Sequence, residues 1–365
     1  MSMNQNKDIV YVITGLNRAG AELVCLSQAT YFAAQGYRVA VVYMHQGHDE
    51  LAPDFRAAGV EVACLGMRSA LMLPLGLWRL RRILMAWKPR IVHSHMIHAN
   101  ILAAMVKPLC RGFRLAWTAH NVNEGGHLLN TLLRLTNGSP DLATNVSEEA
   151  TVDYVSRHLF REAVAQCIPN GVDVRRFDLK MPIRAKATGD NFVFVCVAQF
   201  RQQKNHAGLL RAFAEVYRHR SRARLLLLGD GPLRAPSEDL AKEFGIADAV
   251  TFAGGNADVR EALRESDAFI LVSHYEGFGL APAEAMAVGL PVIGSDVPGL
   301  REVIGQHGRL VDPRDVGAIA AAMVAQMDQA DTASQSEARR THIVSRYSKD
   351  AALARWNAEY QRLGL

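Results

Sequence analysis

The stretch Ala268-Phe-Ile-Leu-Val-Ser-His-Tyr-Glu-Gly-Phe-Gly-Leu-Ala-Pro-Ala-Glu-Ala-Met-Ala-Val-Gly-Leu-Pro-Val-Ile-Gly294 sets an apolar run, a glycine-rich loop, a helix-length segment and a second apolar run in succession. Pro282 suits the first turn of a helix and Gly289 its C-terminal cap, so the stretch reads as strand, loop, helix, strand. That is the repeating unit of a parallel sheet with helices on both faces, and it predicts an α/β protein. The same alternation extends in both directions. Upstream in the second half, strands are predicted at Phe192 to Ala198, Arg224 to Gly229 and Val250 to Ala253, joining Ala268 to Val272 and Pro291 to Gly294. In the first half they are predicted at Ile9 to Thr14, Arg38 to Tyr43, Ile91 to His95, Leu115 to Ala119 and Leu142 to Val146. Each set of five predicts one doubly wound, Rossmann-like domain. The turn formers Pro169, Asn170 and Gly171 mark the joint, giving domains at 1–168 and 173–345. Ala351 to Leu363 has helical spacing with Leu353, Trp356 and Tyr360 on one side, so a last helix at about 350–365 is expected to pack back on the first domain.

At 365 residues and 49% hydrophobic, the chain is long enough for two cores. Leu71 to Leu84 is broken by Pro74, Arg79, Arg81 and Arg82, and no stretch approaches the roughly 20 apolar residues of a membrane span. Met1 to Asp8 is polar, without a signal-peptide region, which predicts a cytoplasmic protein. Cys25, Cys64, Cys110, Cys167 and Cys196 form no Cys-x-x-Cys pair and read as small core residues. The net charge of +5 is unevenly spread. Val62 to Asn123 holds no Asp or Glu, while Arg68, Arg79, Arg81, Arg82, Lys88, Arg90, Lys107, Arg111 and Arg114 fall there, with Trp78 and Trp87 among them. Leu71 to Trp87 is readable as a basic helix with an apolar stripe for an anionic membrane surface, at the inner face of a cytoplasmic membrane. It is equally readable as a packing helix with a solvated basic face. No recognition motif accompanies the charge, so nucleic acid is not an expected partner.

The glycine-rich loop is the candidate ligand site. Glu276 falls on the loop and Glu284 in the first helical turn, so two carboxylates are expected to face one crevice. Gly277 and Gly279 let the backbone approach a ligand, and the unpaired N–H groups of a helix start bind hydroxyls or phosphate. A sugar nucleotide offers both. The plainer alternative makes Glu284 a favourable charge at a helix N-terminus, worth ~0.3–1 kcal/mol, and Glu276 a solvated loop residue. In the first half, Gly15 and Gly20 flank the loop after the first strand, where a phosphate can approach the next helix start. His120 ends a strand, a position that serves either a structural or a site histidine. His93, His95 and His98 have no carboxylate near them in an apolar setting and read as structural rather than as a metal site.

Glu276 and Glu284, eight positions apart, resemble the E-x7-E motif of retaining glycosyltransferases of the GT-B fold, family 4 (glycosyl transferases group 1). Asn170-Gly-Val-Asp173 followed by Phe177, Leu228-Gly-Asp-Gly-Pro232 and Gln203-Lys-Asn205 resemble further motifs of that family, as do Asn17-Arg-Ala-Gly-Ala-Glu22, His93-Ser-His95 and Thr118-Ala-His-Asn121. The resemblance covers nearly the whole chain in order, and its second half is the more specific. It implies two Rossmann-like domains facing across a cleft, the first on the acceptor side and the second binding the donor. It further implies that Glu284 holds the ribose hydroxyls and Glu276 a hydroxyl of the transferred sugar. Backbone groups at Phe278, Gly279 and Leu280 would touch sugar and diphosphate, with Gly229 also on the donor side. Arg201 and Lys204 would neutralise the diphosphate as its charge grows in the transition state. His120 would contact the donor sugar or support the reacting centre.

Similar proteins place an arginine two residues after the strand, where this chain has Gln199. Either Arg201 reaches the same phosphate or it is a surface arginine. The sequence has no D-x-D, so no metal or other cofactor is expected. The resemblance thus implies a hexosyltransferase-type enzyme using a UDP- or GDP-sugar donor and a glycan or lipid-linked acceptor, in cell-surface polysaccharide or lipopolysaccharide biosynthesis. Transfer would be by front-face substitution, with a hinge at 169–173. Two other readings suit the same sheet type. An NAD-dependent dehydrogenase lacks a proper dinucleotide fingerprint here. A non-catalytic sugar-nucleotide binder is separated from an enzyme by an assay.

Overall fold

The apolar runs of the first half become β1 (Ile9–Ile13), β2 (Val39–His45), β4 (Ile91–His95), β5 (Arg114–Ala119) and β6 (Leu142–Asn145), with β3 (Glu61–Met67) and β7 (Ala165–Cys167) added. These come from a computed structural model that describes residues 6–110, 112–122, 125–177 and 191–365. Arg111 and Asn123, part of the basic stretch, lie outside the described residues. The seven strands form one parallel sheet in the order β3-β2-β1-β4-β5-β6-β7. The central strand β1 pairs with β2 and β4, Ile9 lying opposite Val39 and Ile91. All five residues of β1 and of β4 are buried, as expected for a sheet covered by helices on both faces.

The second half gives β8 (Phe192–Val197), β9 (Ala223–Leu228), β10 (Val250–Gly254), β11 (Ala268–Leu271), β12 (Val292–Ser295) and β13 (Arg309–Val311). They form a second parallel sheet in the order β10-β9-β8-β11-β12-β13. The sheets therefore have seven and six strands, not five each. The three strands missing from the sequence reading, β3, β7 and β13, lie at sheet edges. They are part-exposed, and two of them are only three residues long, so none presents the continuous apolar run that marks a central strand.

The chain divides into two compact units: one runs to Asn170 and includes Ala352–Leu365, and the other is Gly171–Ala351. Within the first, the helix Lys349–Arg362 buries Leu353, Trp356 and Tyr360. The Tyr360 hydroxyl lies 2.6 Å from His93 Nδ1 and donates to Tyr11 Oη at 3.2 Å, while His93 Nε2 is 2.7 Å from Thr118 Oγ1. Both ring nitrogens of a fully buried imidazole are thereby satisfied. Tyr360→Phe leaves His93 Nδ1 without that partner, and a thermal or urea melt is expected to show a loss of about 1–3 kcal/mol. An unchanged midpoint would show that the hydroxyl contributes nothing.

One sequence expectation changes here. The helix Leu73–Trp87 buries Trp87 in the core while Trp78 stays outside, and the cysteines do not all lie in the core. Cys64 is exposed and Cys167 half-buried, leaving Cys25, Cys110 and Cys196 as the buried cysteines.

Candidate functional site

In the second sheet the winding direction reverses between β8 and β11. A doubly wound sheet opens a crevice at the carboxyl ends of the two strands on either side of that reversal, and ligands bind there. The loop after β8 brings Arg201 and Lys204 to this point, and the loop after β11 brings Glu276. Lys204 Nζ forms an ion pair with Glu276 Oε1, which also accepts the Ser273 hydroxyl at 2.8 Å. The loops are tied by their backbones as well. His274 N–H donates to the Gln203 carbonyl and Gln203 Nε2 to the Tyr275 carbonyl, both at 2.8 Å. Asn205 then takes a left-handed turn at φ 53°. Its side chain accepts from Gly208 N–H at 3.2 Å and donates to the Pro313 carbonyl at 2.8 Å, which anchors the residue after Lys204. Glu276 is 6% exposed and held by two donors, so its carboxylate is oriented, not solvated.

The helix that follows, Leu280–Ala287, starts from Gly279 at φ 94°. A Cβ on Gly279 would stand 2.4 Å from Leu300 Cδ2, so backbone conformation and packing demand glycine there, not only room for a ligand. Phe278 is buried, edge-on to the Tyr347 ring at 5.4 Å, and its side chain belongs to the core. Glu284 is the fifth residue of this helix, and no acidic residue lies in the first turn. The sequence reading placed it one turn too early. A charge in the second turn gains little from the helix N-terminus, since that effect fades within the first turn. Glu284 is half-buried, and its carboxyl group has no hydrogen bond or ion pair among the described residues. Burial pushes its carboxyl up to about 7, with the Arg176 guanidinium pulling the other way. A carboxylate with unclaimed oxygens and a raised pKa is a ligand-binding candidate.

Gly229 also owes its identity to packing: at φ 139°, its Cβ would lie 2.0 Å from the Ala198 carbonyl oxygen. The loops after β8 and β9 are joined there, Phe200 N–H donating to the Asp230 carbonyl at 2.9 Å and Leu233 N–H to the Phe200 carbonyl at 3.0 Å. Arg201 is exposed, with no side-chain partner among the described residues, whereas Lys204 is already engaged.

In the first unit the corresponding reversal lies between β1 and β4. Gly15 leaves β1 and packs on His48, where a Cβ would come within 3.1 Å, and Gly20 opens the helix Gly20–Ala34. His120, just past β5, is buried, its Nε2 3.0 Å from His95 Nδ1. Burial pushes His120 down to about 4 and holds His95 and His93 well below the usual histidine range, so all three are neutral at neutral pH. Among the described residues no three His, Cys, Asp or Glu side chains are grouped to hold a metal ion. Ser273 and Arg176 are the participants that sequence reasoning missed, and in the sequence Tyr360 reads only as a packing residue. Only Ser273, three residues before Glu276, had a positional clue.

The sequence model of the family described as Glycosyl transferases group 1 matches residues 180–340, and that of Glycosyltransferase Family 4 matches residues 18–176. The chain belongs to the group 1 glycosyltransferases. This glycosyltransferase is 28% identical over 316 residues to the putative glycosyltransferase EpsF of Bacillus subtilis, covering 80% of each chain. Over 288 residues it is 28% identical to the lipopolysaccharide core biosynthesis glycosyltransferase LpsD of Rhizobium meliloti, covering 76% of this chain and 77% of that one. The crystal structure of Anabaena HepE in complex with UDP and glucose shares its fold, with a TM-score of 0.83 at 18% identity, covering 98% of this chain and 100% of that one. Two parallel-sheet, Rossmann-like units make the glycosyltransferase a GT-B protein.

Proposed function

We propose that this glycosyltransferase moves a hexosyl group from a UDP- or GDP-sugar to a glycan or lipid-linked acceptor, with retention and without a metal ion. One observation carries the reading: at the reversal of the second sheet, a lysine from one loop is paired with a buried carboxylate from the next, and an unclaimed carboxylate follows on the adjoining helix. Lys204 is in position to meet a diphosphate with its remaining N–H groups, a contact that strengthens as the leaving group gains charge. Glu284 offers two acceptor oxygens to ribose hydroxyls.

Glu276 already accepts from Lys204 and Ser273 on one oxygen, which lowers its nucleophilicity and leaves the other for a sugar hydroxyl. A poor nucleophile at that position favours front-face substitution over a covalent glycosyl intermediate. In front-face substitution the departing phosphate oxygen takes the acceptor proton. Burial keeps His120 neutral at physiological pH, so a hydrogen bond from it to a ligand is that of an uncharged imidazole. Lys204 and Arg201 supply the charge that a metal supplies in D-x-D enzymes, and this sequence has no D-x-D. Surface-glycan biosynthesis is supported by the kinship with LpsD.

A thermal-shift screen over UDP, GDP and their hexoses tests the donor. The cognate nucleotide at a hundred times its Kd is expected to add ~2.7 kcal/mol of stability. The shift and the turnover should both persist in EDTA. Loss of either in EDTA would overturn the metal-free reading, and no shift with any nucleotide would overturn the donor assignment.

A further inference from the structure

The helix Ala333–Tyr347 lies against the helix Leu280–Ala287 that carries Glu284. A helix leaves its last carbonyls without intrahelical partners. Here two arginines of the neighbouring helix take the carbonyls at and just past that end. Arg340 Nη1 donates to the Ala287 carbonyl at 3.0 Å, and the buried Arg339 donates through Nε to the Gly289 carbonyl at 2.9 Å. The approach is close, since a Cβ on Gly289 would stand 2.1 Å from Ser336 Oγ. The site helix is therefore held at its carboxyl end by Ala333–Tyr347, and that helix finishes on Tyr347.

Tyr347 is buried and fixed from three sides. Its ring meets that of Phe278 edge-on, at an interplanar angle of 72°, and Phe278 lies in the loop between Glu276 and Gly279. Its hydroxyl donates to the Glu302 carbonyl at 3.1 Å. Glu302 belongs to the short helix Leu300–Ile304, which supports the same loop. A Cβ on Gly299, at the head of that helix, would stand 2.5 Å from the Gly277 carbonyl oxygen, and Leu300 packs against Gly279. The third attachment is made by the backbone. The Tyr347 carbonyl accepts from Val172 N–H at 2.8 Å and the Val172 carbonyl from Lys349 N–H at 2.8 Å, a parallel bridge that pairs Val172 with Ser348. Both bridged segments lie inside the unit Gly171–Ala351, next to the two points, after Asn170 and after Ala351, where the chain passes into the other unit.

We propose that Tyr347 is a positioning residue: it holds the loop from Glu276 to Leu280 in its donor-ready shape and ties that loop to the Val172–Ser348 bridge, so that a nucleotide bound at the loop tightens the bridge. The inference rests on the donor reading above. Tyr347 acts through Phe278 and Glu302, not by touching the donor. Apparent affinity falls in proportion to the fraction of molecules whose loop is in place, so a residue that keeps the loop in place is read out in nucleotide binding. A chain of contacts amounts to coupling only when its far end responds to the ligand at its near end. Here the near end is the loop and the far end is the pair of amides at Val172 and Lys349.

Tyr347→Phe keeps the ring and loses the bond to Glu302, whereas Tyr347→Leu loses both contacts. The probe is UDP or GDP, whichever raises the melting temperature of the full chain. Titrated by calorimetry well below the melting temperatures, Tyr347→Phe is expected to raise the nucleotide Kd about 2–10-fold. Tyr347→Leu should raise it by a further ~2–10-fold. A packing role alone would lower the melting temperature and leave Kd unchanged. Hydrogen exchange gives the second readout. In the parent the nucleotide should slow exchange at 277–280 and also at the Val172 and Lys349 amides, and in Tyr347→Leu the slowing at Val172 and Lys349 should be lost. A parental Kd in folded Tyr347→Leu overturns the proposal. So does protection of 277–280 with none at Val172 and Lys349, a result that leaves the donor reading intact. No thermal shift and no protection with either nucleotide overturns both. Should Tyr347→Leu not fold, the Kd of Tyr347→Phe and the exchange of the parent decide.

Discussion

Lys204→Ala is expected to lower kcat by about 10²–10³-fold, the loss that follows removal of one preorganised electrostatic contact to a developing charge. The structure adds a second effect to this catalytic one. Lys204 is the ion-pair partner of Glu276, whose side chain is 9% exposed, so the substitution strands a buried carboxylate with only the Ser273 hydroxyl. Breaking one side of such a pair costs about 3–5 kcal/mol, enough to confuse a loss of turnover with a loss of fold. Combining Lys204→Ala with Glu276→Gln separates the two. The amide removes the stranded charge, so the melting temperature should recover while turnover stays low. Turnover is read against the Glu276→Gln single variant, and a double variant as active as that single variant would reduce Lys204 to a structural residue and sink the proposed role.

The second large effect concerns pH. Burial holds the Glu284 carboxyl at about 7, against an ordinary value of 4.5. Because the folded value is the higher one, the folded chain keeps this proton where the unfolded chain has lost it. Stability from this group is therefore fully present below pH 4.5, falls as pH rises towards about 7, and is constant beyond. Replacing Glu284 with Gln removes a penalty of about 3 kcal/mol, so the ligand-free variant should melt higher than the parent at pH 8 and alike at pH 4.5.

Donor binding runs the opposite way. A carboxylate accepts from both ribose hydroxyls, whereas a carboxylic acid must donate one of its own bonds. The parent's donor KM should fall as pH rises from 6 to 8, and Glu284→Gln should flatten that dependence while raising KM at pH 8. A variant that is neither stabler without ligand nor weaker for the donor would remove Glu284 from the site. Such opposition is common where a buried charge serves a ligand at the expense of the fold.

How far these features were legible depends on where each one's cause lies. β1, β8 and β11 announce themselves, because strands at the centre of a covered sheet are unbroken apolar runs. The edge strand Glu61–Met67 mixes Glu61, exposed Cys64 and Gly66, and no local pattern separates it from a loop. The residues of the E-x7-E segment were visible as chemistry, but the Lys204–Glu276 pair was not. It spans 72 positions, and only the strand order brings its members together. Pro282 does lie in the first turn, as its third residue, but the helix starts directly after Gly279, which carries Glu284 into the second turn. Trp78 and Trp87 look alike in a helical stretch, and the inner stripe of Leu80, Ile83 and Leu84 decides which one is buried.

The helix Lys349–Arg362 gives this architecture an order of assembly. Its Trp356 and Tyr360 close the core around Phe32 and Ile9, in a unit whose other residues precede Gly171. A ribosome releasing the chain from its N-terminus therefore finishes the contiguous unit Gly171–Ala351 before the earlier-synthesised unit has received its last helix. Until then, the floor of the first sheet beside His93 stays open to water or to chaperones, and the first half of the polypeptide is the last to mature.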